Sequence, residues 1–171
     1  VQRQDDLLDS AEDMEGVEMF FKAQRTVFDD AKKRLASILK ERDYFAADAD
    51  TLNVISTMST ILAMPKPYSR IGELPELVQK VKTAYDSLLD MKREEVAENI
   101  RQCMQDVHQL ASEARDAGAL LRQADDHFVN KREAVKTATS LTELDAMITQ
   151  LLNYKDTICR RMEVMSASRQ Q

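Results

Sequence analysis

The stretch LPELVQKVKTAYDSLLDMKREEVAENIRQCMQDVHQLASEARDA, residues Leu74 to Ala117, decides the fold. It holds no proline after Pro75 and no glycine before Gly118, and it is rich in Lys, Glu, Gln, Leu and Ala. Such residues lose little on entering a helix. Leu77, Val81, Tyr85, Leu88, Val96, Ile100, Cys103, Val107, Leu110 and Ala114 recur at steps of three and four, with one interruption where Lys92 falls on the stripe. That spacing marks one face of a single helix. At about 1.5 Å per residue such a helix spans about 65 Å, longer than a compact domain of this size is wide, so it needs partners along its length.

Downstream, Gly118 reads as the left-handed residue of a C-terminal cap that ends the long helix near Ala117. A helix over about 120–137 follows, with Leu121, Ala124, Phe128, Ala134, Val135 and Ala138 on its apolar positions. Ser140-Leu141-Thr142-Glu143 then has the form of a capping box, placing a helix start at Ser140. From there to about 165 the period is nearly that of a heptad: Leu141, Leu144, Ile148, Leu151, Lys155, Ile158, Met162, Met165. The seam predicts a coiled-coil-like contact, and the short connections predict antiparallel neighbours, so the C-terminal half reads as a three-helix bundle.

Upstream, residues 64–72 form a stiff loop, because Pro65 and Pro67 fix their own φ and push the preceding residues toward extended conformations. The loop leads Tyr68 and Ile71 to the start of the long helix, where Pro75 and Glu76 suit a first turn. Before it, a helix over about 50–63 carries Leu52, Ile55, Met58 or Ser59, and Leu62, with Asp48 or Asp50 as its cap. A helix over about 15–45 is expected to turn Val17, Phe20, Phe21, Gln24, Val27, Phe28, Ala31, Leu35, Ile38 and Leu39 to the core. Residues 1–13 read as an acidic N-terminal segment and residues 166–171 as a polar tail. The predicted fold class is all-α: an elongated helical bundle on one long central helix with an antiparallel coiled-coil-like C-terminal half, forming a single helical domain over 14–165.

Composition agrees with helices. Three glycines and three prolines in 171 residues are too few for an architecture of strands, which needs a turn signal roughly every 8–12 residues. Apolar residues make up 43%, enough to bury a core, and the nine methionines mostly fill gaps in helix packing. The net charge of −6 argues against an extended nucleic-acid surface. Residues 1–60 carry 8 basic and 13 acidic side chains, residues 61–121 carry 8 and 10, and residues 122–171 carry 8 and 7, so a local basic face stays open on the last segment. No secretory signal or membrane-spanning apolar run occurs, and Cys103 and Cys159 lie at core-like positions. Two reduced thiols and a cytoplasmic location are therefore expected. The chain starts at Val1 without an initiator Met, which reads as a piece of a longer protein.

The search for chemistry finds none. The glycines are isolated, and none precedes a Lys-Ser or Lys-Thr pair, so no phosphate loop exists. Neither His108 nor His127 has a Glu three residues before it, the motif of metal sites in helical bundles. Cys103 and His108 stand about 140° apart round a helix, a poor pair for one metal. His127, beside Asp125 and Asp126, is expected as a surface group. Glu94 and Glu95 splay apart, and Cys103 sits in the seam as an inert thiol. No catalytic, cofactor-binding or metal-binding residue is assigned, and no cofactor is expected. What remains is a surface that binds something. Lys32-Lys33-Arg34 follows Asp29 and Asp30 and reads as a solvated helix face, while Met147, Arg160, Arg161, Met162 and Met165 offer a candidate contact face, with core packing the plainer account of the methionines.

Three stretches are distinctive: Phe20-Phe21-x-x-Gln24-x-x-x-Phe28-Asp29-x-Ala31, Pro67-Tyr68-x-x-Ile71-x-x-Leu74-Pro75-x-Leu77, and Leu141-Thr142-Glu143-Leu144-Asp145. Together they resemble the helical C-terminal region of the large P-loop ATPase of BREX-type bacteriophage-exclusion systems, over about residues 14 to 165. In that family the ATPase motifs lie far upstream, so the resemblance carries no catalytic residue onto this chain. It implies a non-catalytic interaction or oligomerisation module of a phage-defence ATPase, with the rest of that ATPase and other defence proteins as partners and a homo-oligomer left open. The alternative is a free-standing helical adaptor or regulatory coiled coil with no ATPase attached. A gene lacking an upstream P-loop would sink the first reading, and a native start codon just before Val1 would favour the second.

Overall fold

The computed structural model describes residues 2–170, and within them the side chains of residues 16, 18–67 and 69–167. The side chains of the acidic segment 1–13, of Val17 and Tyr68, and of the tail beyond Ala167 lie outside the described residues. Every element among those described is helical: α1 (Gln2–Leu39), α2 (Ala49–Ala63), α3 (Leu74–Glu113), α4 (Gly118–Thr137) and α5 (Leu141–Gln170), with 3₁₀ turns at Arg42–Phe45, Pro67–Ser69 and Ile71–Glu73. The protein is an all-α helical bundle. Its contacts gather into two compact units, residues 1–85 and residues 86–171, and α3 contributes to both.

In the first unit α1 packs on α2 and on the turn Ile71–Glu73. Ala31, Leu35 and Ile38 of α1 are buried, as are Phe45, Ile55, Met58, Ile61, Ile71, Leu74 and Val81. Asp48 caps α2: its carboxylate accepts from the Thr51 amide at 3.1 Å and from the Thr51 hydroxyl at 2.5 Å, which satisfies an otherwise orphaned amide and the one buried polar side chain among the described residues. Those hydrogen bonds hold the Asp48 carboxyl below the usual carboxylate range. Tyr85 donates to Glu41 at 2.8 Å and its ring lies 6.4 Å from that of Phe45, tying the first turns of α3 to the chain that leaves α1.

The second unit is a three-helix bundle of the C-terminal part of α3 with α4 and α5. Contacts of α3 with α4 run in opposite order along the two helices, from His108–Asp125 through Met104–Arg132 to Arg93 with the Ala138 carbonyl. Contacts with α5 run in the same order, Lys92–Asp145 and then Asp106–Lys155. Thus α4 is antiparallel to α3 and α5 parallel to it. Val96, Ile100, Cys103 and Val107 of α3 are buried, as are Leu120, Ala124, Phe128 and Val135 of α4 and Leu141, Leu144, Leu151, Ile158 and Met162 of α5. At Lys92 α3 continues unbroken, since the lysine is answered there by Asp145 at 2.9 Å and Glu95 at 3.3 Å.

Several boundaries differ from expectation, each for a local reason. The first helix begins well ahead of Glu15 and stops at Leu39, the chain then tightening into the 3₁₀ turn over Arg42–Phe45 before Tyr44 is passed. Gly118 is not a left-handed cap. The residue with positive φ between α3 and α4 is Asp116, at 60°, and Gly118 is the first residue of α4. An aspartate tolerates that region better than most side chains, so the turn needs no glycine. α5 runs through the expected polar tail to Gln170, because Ser166, Ala167, Ser168, Arg169 and Gln170 include neither the glycine nor the proline that would stop it.

Candidate protein-interaction surface

The apolar stripe of α1 outruns its cover. Its C-terminal part, at Ala31, Leu35 and Ile38, lies under α2 and the turn before α3, but toward the N-terminus Phe28 is only half-buried and Met19, Phe20 and Phe21 are 72%, 59% and 52% exposed. The expectation that Phe20 and Phe21 serve this chain's own core is therefore corrected: both are more than half exposed. Their rings lie 6.2 Å apart, edge to face. They are the one run of three large apolar side chains left exposed in succession among the described residues.

Beside them opens a groove of about 630 Å³ between α1 and the loop before α3. Phe21 and Phe28 form its α1 wall, and Pro67 and Ile71 the other. Glu18, Lys22, Arg25 and Asp29 rim it with two charges of each sign. None of these four enters an ion pair among the described residues. An aromatic centre with a charged rim is the anatomy of a protein-binding patch, where the rings exclude water and the rim sets orientation.

The residues singled out for chemistry are engaged elsewhere. Cys103 is buried and Cys159 half-buried, both as free thiols that burial holds above the ordinary thiol range. A thiol kept protonated is a poor nucleophile. His108 Nε2 lies 2.7 Å from Asp125 Oδ1. His127 is not the exposed group expected: its ring stacks on Tyr154 of α5, with centroids 3.6 Å apart and planes 11° from parallel. Burial, with Lys131 nearby, lowers its basicity. Among the described residues no group of three or more His, Cys, Asp and Glu side chains could hold a metal ion. On the final helix Met147 and Met162 are core residues, while Met165, Arg160 and Arg161 stay exposed. No helix among the described residues is long and apolar enough to cross a membrane.

Residues 1–42 match the family described as the BREX ATP-binding protein BrxC alpha helical domain. The match supports a likeness of that segment to a helical region of a BREX ATPase, BrxC. The helical domain of BrxC is not itself the catalytic ATPase domain. The match ends at Arg42 and so takes in the whole of α1, including the exposed aromatic patch. No solved structure matches the chain.

A sign of the patch was present in the BrxC-like segment. Adjacent phenylalanines stand about 100° apart round a helix, too far for both to face one narrow seam. Gln24 interrupts the same stripe one turn later.

Proposed function

We propose that this chain is a non-catalytic helical interaction module of a larger BREX phage-defence ATPase, docking protein partners through the exposed aromatic pair Phe20 and Phe21 of α1. The observation that carries the reading is the position of that pair: two phenylalanines more than half exposed inside the segment that matches BrxC. Large apolar side chains in water cost stability unless a partner covers them, and clustered aromatics supply most of the binding energy where one does. The partners are the rest of its own ATPase and other components of the defence system. The module supplies contact surface, and the hydrolysis belongs to the catalytic domain.

Phe20 and Phe21 are both more than half exposed, so Phe20→Ser with Phe21→Ser removes little buried surface. In the parent ATPase the double variant should retain its helical circular dichroism and weaken assembly with the other defence components by about tenfold or more. Undiminished assembly by a folded variant would overturn the reading. The isolated chain should hydrolyse no ATP, and measurable turnover in it would overturn the non-catalytic role.

A further inference from the structure

We draw no further inference here: the strongest candidate, the open cleft between the C-terminal end of α3 and α5 that Glu113, Glu163 and Ser166 line, is a pair of exposed carboxylates beside a half-buried serine, and nothing in the structure points to a ligand between them.

Discussion

Lys92 shows how a single charge is accommodated on a buried stripe. Its side chain is 18% exposed, the stem covered and the ammonium held between Asp145 of α5 and Glu95 one turn along. Those hydrogen bonds, Asp145 foremost, raise its basicity, so it is charged throughout the physiological range. Removing Asp145 leaves the ammonium to Glu95 alone, whereas removing the ammonium leaves an apolar stem in an apolar seam. Asp145→Ala should therefore cost about 1 kcal/mol, the upper range for a partly exposed pair. Lys92→Met should be neutral within about 1 kcal/mol or stabilising, as for other buried ion pairs replaced by well-packed apolar side chains. Urea midpoints at constant slope measure both. Phe128, fully buried against Tyr154, marks the other extreme. Phe128→Ala should cost about 3–5 kcal/mol by the same measurement, for lost burial and the cavity left behind.

Between elements, the interrupted stripes of α3 and α5 answer each other. Lys92 of α3 pairs with Asp145 of α5, and Lys155 of α5 pairs with Asp106 of α3 at 2.7 Å, so each helix donates one lysine and one aspartate to the other. Sliding either helix by a turn breaks both pairs, which fixes the register that apolar side chains alone leave loose. The turn before α4 carries its own prediction. A Cβ added at Gly118 meets nothing within 4 Å, and its φ is not positive. Gly118→Ala should therefore stabilise by about 0.5 kcal/mol, chiefly by restricting the unfolded chain. At Asp116, with φ of 60°, Asp116→Val should cost about 1–2 kcal/mol more than Asp116→Gly. Thermal unfolding of the three variants checks the assignment, and a destabilising Gly118→Ala would contradict it. Periodicity made the helices legible, because the steps of three and four in Val96, Ile100, Cys103 and Val107 record a buried face directly. It did not show the cover on that face: Phe20 and Ile38 obey the same spacing, yet one is exposed and the other buried. Nor did composition locate the positive φ, since aspartate and glycine both tolerate it, and the glycine two residues on drew the assignment. The stacking of His127 on Tyr154 joins residues of two helices, and no local pattern in the sequence records it.

At the scale of the whole molecule, the titrating groups set a stability profile with two limbs. Asp106, hydrogen-bonded by Lys155, Asp48 by Thr51, Glu73 by Arg70 and Glu98 by Arg101 are all held below the usual carboxylate range. A lowered folded-state pKa contributes stability that is present above the unfolded value and lost as pH falls through the folded one, so these groups form an acid limb. His127 acts earlier on the same side, because burial against Tyr154 favours its neutral form and protonation below the ordinary histidine range removes that contribution. On the alkaline side the order reverses. Cys103 and Cys159 have raised pKa values through burial, and Lys92 and Lys155 through their carboxylate partners, so their contributions are full below the unfolded values and lost as pH rises through the folded ones. Stability should thus form a plateau between the histidine and thiol ranges, falling on both sides. Urea midpoints measured from pH 3 to pH 10 would show it. His127→Phe keeps the aromatic stack and removes the proton, so it should delete the first step of the acid limb without moving the second. Asp106→Asn should flatten the later acid limb, and Cys103→Ala the start of the alkaline one. If the His127→Phe profile overlays that of the parent between pH 5 and pH 7, the imidazole is not differentially protonated on folding, and the stack on Tyr154 contributes packing alone.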